Sequence, residues 1–303
     1  MMIRVIRFAV LMFTLGSGLY VHAGTANVAG NVLVNTLMIQ TSNGQGTGFT
    51  IDVDGRQYLI TARHLVNGMG PQGTVQIGKF GSTATSPIAF DNFVMQIFRC
   101  PGSIDIAVLV PPAPLTVVET MVPVDSSGFF IGQNAYFVGF PLGMHSQAKT
   151  NPPRPIGFVK QGMISGVQYE QDGDGDLIFL DGYNVFGFSG SPVTYWEPQN
   201  DKTPARSYVI GVISGFTADS NLVVVPKEIK PSEVKPSDRE RGRILELPGH
   251  VYKLEEKKVN GKKTNEMVMM NTGIVRSYGI ESALKLIHQH PIGPLTSGDK
   301  GPN

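Results

Sequence analysis

A histidine, an acid and a serine, far apart in the chain, fall in settings that suit nucleophilic chemistry. His64 ends the run Tyr58-Leu-Ile-Thr-Ala-Arg-His64-Leu-Val, a β-prone stretch that breaks into a turn. Asp105 lies near the head of Ser103-Ile-Asp105-Ile-Ala-Val-Leu-Val, a very apolar strand. Ser189 sits in the glycine-rich turn Gly187-Phe-Ser189-Gly-Ser-Pro192. Singly, each has an ordinary structural account: a surface histidine, a turn aspartate, a tight loop. Together, in this order, they suggest chemistry on a serine. A serine hydroxyl is a weak nucleophile near neutral pH and needs a base within hydrogen-bond reach. Imidazole, with a reference pKa of about 6.5, is suited to that task.

The elements that must hold these residues read as short strands. Apolar, β-type runs cover 35–40, 48–53, 57–61, 104–110, 135–139, 178–180 and 208–214, each bounded by Gly, Pro, Asn or Asp. Asp54-Gly55, between two such runs, predicts a tight hairpin. A single clear helix is expected over 280–289, with Ile280, Leu284 and Ile287 on one face. The pattern predicts an all-β chain folded as two barrels. Composition agrees: the 303 residues are 41% hydrophobic and only 16% charged, with 36 Gly. A net charge of +1 argues against a general nucleic-acid binder. The single cysteine, Cys100, rules out an internal disulfide and a Cys-based zinc ribbon.

Two segments depart from this composition. Residues 1–7 carry two positive charges, an apolar run follows from Phe8 to Tyr20, and Val21-His22-Ala23 precedes Gly24. That is the pattern of a secretory signal over 1–23, and it predicts export to the periplasm or beyond; an uncleaved anchor is the alternative. After cleavage no stable membrane span is expected. The second segment, 227–266, has nineteen charged residues in forty, is punctuated by Pro231, Pro236 and Pro248, and reads as a solvated, partly disordered insertion.

The motifs as a set resemble the trypsin-like serine peptidases, in style the bacterial HtrA/Deg type without a PDZ domain. The landmarks are Gly46-Thr47-Gly48-Phe49, Thr61-Ala62-Arg63-His64, Asp105-Ile106-Ala107-Val108-Leu109, Val138-Gly139-Phe140-Pro141, Gly162-Met163-Ile164-Ser165-Gly166, Gly187-Phe188-Ser189-Gly190-Ser191-Pro192, Val212-Ile213-Ser214-Gly215 and Asn271-Thr272-Gly273-Ile274-Val275. The resemblance implies two six-stranded antiparallel β-barrels and a short C-terminal helix. The first barrel (31–118) would bear His64 and Asp105. The second (127–290) would bear Ser189 and enclose the charged insertion, with a flexible tail over 291–303. It further implies that His64 takes the Ser189 proton, that Asp105 orients the imidazole, and that the N–H groups of Gly187 and Ser189 form an oxyanion hole. Tyr183, Ser214, Gly215 and Phe216 would contact a polypeptide substrate. No cofactor and no metal are implied, and the number of subunits stays open. A proteolytically silent binding protein on the same fold is the alternative reading.

The sequence also departs from the family pattern. Phe188 stands where the trypsin group has a polar residue that pairs with a freed N-terminus, and Ser191 stands in place of glycine. Arg63 beside His64 either faces solvent or perturbs the base. Tyr183, six residues before the serine, offers no carboxylate to a basic side chain, and the bulk of Phe216 predicts a shortened pocket. Asp172, Asp174 and Asp176 suggest a calcium loop, but Tyr183 at the twelfth position is no ligand, so a polar hairpin turn is expected. His288 and His290 lack a third metal ligand and are expected at a solvated helix end.

Overall fold

The computed structural model describes residues 28–83, 86–116, 121–124, 128–147, 154–169, 175–197, 206–222, 224–240, 244–247, 250–256, 258–259, 262–263 and 267–296. The signal-like segment 1–23, Asp172 and Asp174 lie outside them. A short helix, α1 (Gly30–Asn35), leads into the first six strands: β1 (Thr36–Thr41), β2 (Gly44–Val53), β3 (Arg56–Thr61), β4 (Gln72–Thr83), β5 (Ser86–Arg99) and β6 (Ala107–Val110). They close as an antiparallel barrel in the order β1-β2-β3-β6-β5-β4. The predicted hairpin joins β2 to β3, with Asp54 and Gly55 at φ +52° and +70°, the left-handed pair that a two-residue turn requires.

The second barrel is built from β8 (Asn134–Gly139), β11 (Phe158–Gln168), β12 (Leu177–Asp181), β13 (Pro192–Glu197), β14 (Arg206–Leu222) and β20 (Met267–Gly279). These pair in the order β13-β8-β11-β12-β20-β14, β13 closes onto β14, and β7 (Val122–Pro123) adds alongside β14. Two minimal strands, β9 (Ser146–Gln147) and β10 (Pro155–Ile156), pair with each other. The helix expected near the C-terminus is α3 (Glu281–Gln289). Among the described residues no helix is long and apolar enough to cross a membrane.

Alternation along the strands sorts the apolar residues into three cores. Leu59 faces the inside of the first barrel with Ile39, Val75 and Leu109. Its neighbours Tyr58 and Ile60 point the other way, into a core shared by both barrels and α3, with Phe49, Val138, Val212, Ile280 and Ile287. Phe137, Leu180, Phe188 and Ile213 fill the second barrel. A strand with apolar residues on both faces is one buried on both faces, and β3 is such a strand. The turn that follows it carries His64.

Two segments are more ordered than their composition predicts. In the charged insertion, β15 (Val224–Ile229), β16 (Ile244–Leu247) and β17 (His250–Glu256) form a three-stranded sheet in the order β15-β17-β16. A helical turn, α2 (Pro236–Glu240), packs on it, and a small hairpin is made by β18 (Lys258–Val259) and β19 (Lys262–Lys263). Lys253 pairs with Asp238 at 2.9 Å and His250 with Glu228 at 2.7 Å, so charge is spent within the insertion itself. The expected flexible tail over 291–303 is corrected for 291–296. Gln57 and Thr296 donate their N–H groups to Pro294 and Gly55 at 2.9 and 3.0 Å, and Arg56 donates to the Gly293 carbonyl at 2.7 Å. Proline-rich chain loses little entropy on being laced down in this way.

Candidate active site

Residue Ala62 ends the extended run of β3, and Arg63–Val66 turn as a single 3-10 helix that presents His64 outward. The loop after β5 brings Asp105 beneath it. The Asp105 carboxylate accepts from the His64 backbone N–H at 2.8 Å with one oxygen. With the other it meets His64 Nδ1 at 2.7 Å and accepts from the Ser214 hydroxyl at 2.7 Å. Burial alone pushes the Asp105 carboxyl up; the His64 ring, the Ser214 hydroxyl and the His64 N–H outweigh it and hold it below the ordinary carboxylate value. An ionised carboxylate against Nδ1 makes that nitrogen the donor and leaves Nε2 as the basic one.

Arg63 turns away from the imidazole. Its guanidinium donates to the carbonyls of Cys100 and Gly102 at 3.0 and 2.7 Å, and its N–H to the Asp105 carbonyl at 3.2 Å. It therefore braces the loop that delivers Asp105. The nearby Cys100 is packed between barrel and α3, where burial pushes its thiol up to about 12 against the pull of Arg63. Such a thiol stays neutral and inert.

Ser189 lies in the turn between β12 and β13, and its settings are legible atom by atom. Five successive carbonyls are occupied: Val185 by the Phe188 N–H at 3.3 Å, Phe186 by Leu142 N–H at 2.8 Å, Phe188 by Ser191 N–H at 2.9 Å, Ser189 by Thr47 N–H at 2.9 Å, and Gly187 by the Thr47 hydroxyl at 2.7 Å. Among the described residues, nothing takes up the N–H of Gly187 or of Ser189. Gly187 has φ +102°, and a Cβ there would fall onto the Phe140 carbonyl. Only glycine meets both demands. Gly46 lies between the two halves of the site, since a Cβ on it would strike Leu65, beside His64, and come within 3.1 Å of the Ser189 carbonyl.

The other predicted contact residues surround this turn. Ser214 spends its hydroxyl on Asp105, a role the sequence reading did not assign to it. A Cβ at Gly215 would meet open space. Phe216 stands edge-on to Phe186, ring centres 6.5 Å apart. Tyr183 is exposed, its carbonyl accepts from Lys160 Nζ at 2.8 Å, and that ammonium lies 5.3 Å from its ring. Asn184, next to it, is buried. Phe188 is fully buried, edge-on to Phe137 at 5.1 Å. Apolar packing thus anchors the turn. His288 and His290 part company: the first lies 3.6 Å from Asp54 and the second stacks on Phe98 at 4.2 Å. No cluster of metal-ligating side chains occurs among the described residues.

The family model of the trypsin-like peptidase domain matches residues 46–195, from the Gly46 strand to the strand after Ser189. The matched residues belong to a trypsin-like peptidase domain. Among solved structures, the domain with its flanks is similar to Rv3671c from M. tuberculosis H37Rv, seen as a serine-to-alanine mutant in its inactive form. That likeness has 13% identity and a TM-score of 0.43 over 88% of this chain and 89% of the other. It is also similar to Deg5, with 18% identity and a TM-score of 0.42 over 61% of this chain and 80% of that one. No curated protein matches the chain.

Proposed function

We propose that this trypsin-like peptidase domain makes the protein an exported serine endopeptidase, with Ser189 as nucleophile, His64 as base and Asp105 as its orienting partner. The observation that carries the reading is the Asp105 carboxylate held below its ordinary value against His64 Nδ1, in a cleft faced by two unoccupied N–H groups. His64 Nε2 would take the Ser189 proton as Oγ attacks the scissile carbonyl carbon. The oxygen that gains the electron pair would sit on the N–H groups of Gly187 and Ser189. As the C–N bond breaks, His64 returns the proton to the leaving amine, and water repeats the sequence on the acyl-enzyme. The signal-like N-terminus supports an extracytoplasmic site of action.

The substrate is a polypeptide lying against Ser214–Phe216. With Phe186 and Phe216 edge-on at the mouth and a tyrosine at position 183, small or aliphatic side chains are expected before the scissile bond. A peptide library varied at that position tests this, and a preference for Arg or Lys overturns it. The peptidase reading itself is tested with a fluorophosphonate probe on the folded protein. Labelling is expected, and is expected to vanish in Ser189→Ala; a folded, unlabelled protein would favour the silent binding protein instead.

A further inference from the structure

The nucleophile turn belongs to the second barrel, yet its shape is set by a residue of the first. Thr47, in β2, is fully buried. Its hydroxyl donates to the Gly187 carbonyl at 2.7 Å and accepts from the Phe140 N–H at 3.2 Å. Its N–H donates to the Ser189 carbonyl at 2.9 Å, and its own carbonyl accepts from the Thr61 hydroxyl at 2.7 Å. Gly190 fits against this group, because a Cβ there would fall on the Thr47 carbonyl.

The geometry of the turn gives the hydroxyl its significance. Three consecutive peptide planes run from Phe186 to Ser189. The outer two present the N–H groups of Gly187 and Ser189, and the middle one carries the Gly187 carbonyl. Leu142 holds the first plane through Phe186, and Ser191 holds the third through Phe188. Among the described residues, the Thr47 hydroxyl alone holds the carbonyl of the middle plane. Gly187, with no Cβ, has the widest backbone freedom of any residue; without the Thr47 hydroxyl the middle plane would keep only the longer bond from the Phe188 N–H to the Val185 carbonyl at 3.3 Å, and the outer N–H groups would lose their common aim. Phe140 joins the same arrangement. Its N–H binds the Thr47 hydroxyl, and its carbonyl faces the α-carbon of Gly187.

We propose that Thr47 is a positioning residue of the oxyanion hole, acting across the barrel interface through its side-chain hydroxyl. The proposal rests on the peptidase reading above and adds to it a residue outside the triad. Its consequence is a division of function within the site: Asp105 and Ser214 set the base, and Thr47 sets the anion cradle.

The test uses the full chain with four substitutions: Thr47→Val, Thr47→Ala, Thr47→Ser and Ser189→Ala. The second-order rate of fluorophosphonate labelling is read for each, because the adduct's phosphoryl oxygen must enter the cradle. Removing one oxyanion donor typically costs about 10²–10³ in rate, so Thr47→Val is expected to label about 10²-fold more slowly and Thr47→Ser within a few-fold of the parent. The downfield proton resonance of His64 Nδ1–H is read on the same samples and is expected to stay in place, since the His64–Asp105 pair is held by other atoms. Should Thr47→Val not fold, Thr47→Ala is read against Thr47→Ser in its stead. Parent-like labelling of the valine or alanine protein overturns the proposal, as does equal slowing in the serine protein or loss of the His64 resonance along with labelling. A parent protein that never labels overturns the peptidase reading and this proposal with it.

Discussion

Asp105 accepts three hydrogen bonds on two oxygens, and all three partners come from elements that meet only in the folded chain. A neutral acid could not accept all of them and keep its proton, so the network and the ionised state support each other. The same turn that carries Ser189 contains a residue with no such support. The Ser191 hydroxyl is buried and has no hydrogen-bond partner. It is enclosed by Gly139, whose lack of a Cβ leaves just enough room for it beside Phe188 and Thr47. An orphaned buried hydroxyl costs about 1–3 kcal/mol. Ser191→Ala is therefore expected to raise the thermal midpoint by about 2–4 °C for a gain near 1 kcal/mol, read by calorimetry. A lowered midpoint would mean that the hydroxyl has a partner in solution.

At the level of elements, the arm formed by the charged insertion stands apart from the barrels. Outward of Phe216, β14 pairs with β20 alone, from Ala218 with Asn271 to Leu222 with Met267. Among the described residues, none between 218 and 272 belongs to any of the three cores. Its ion pairs, Lys253 with Asp238 and His250 with Glu228, are internal to it. Removing residues 223–266 and joining Leu222 to Met267 through an Asn-Gly turn should close the ribbon as an ordinary hairpin. The expected result is a thermal midpoint within about 2 °C of the full chain, the shift of a change worth under 1 kcal/mol. A drop of 10 °C would show that the arm packs on the barrels.

Across the whole molecule, the shared core makes the two barrels one folding unit. Phe49 and Tyr58 of the first barrel, Val138 and Val212 of the second, and Ile280, Ala283 and Ile287 around α3 bury one another. The proposed pairing of His64 from the first barrel with Ser189 from the second depends on the rigidity of this seam. Ile287→Ala, which empties part of it, is expected to cost about 2–5 kcal/mol. Urea unfolding followed by Trp196 fluorescence and by far-ultraviolet dichroism should stay a single coincident transition in both proteins. Two separated transitions would show that the barrels unfold independently.

Much of this was readable in one dimension because it depends on local rules. Short continuous apolar runs such as that of β3 form strands buried on both faces, Asp54-Gly55 must turn, and a chain with one cysteine builds its barrels without disulfides. The motifs around His64, Asp105 and Ser189 were equally local, since each is a short stretch whose shape its own glycines and β-branched residues dictate. What those stretches do to one another was not. Arg63 was open between facing solvent and perturbing the base, and its hold on the carbonyls of Cys100 and Gly102 could not be read from the sequence. Ser214 was read only as part of the substrate-facing segment, and its hydroxyl is in addition spent on Asp105. The tail looked free because Pro and Gly carry no periodic signal, whereas the backbone of 293–296 is held by β3 and the turn before it. Thr47 was one letter of a glycine-rich landmark, and its hydroxyl acquired a partner only when the second barrel brought Gly187 within 2.7 Å. Periodicity and turn chemistry are properties of neighbours in sequence, whereas hydrogen bonds between residues a hundred positions apart exist only after the barrels have closed and packed.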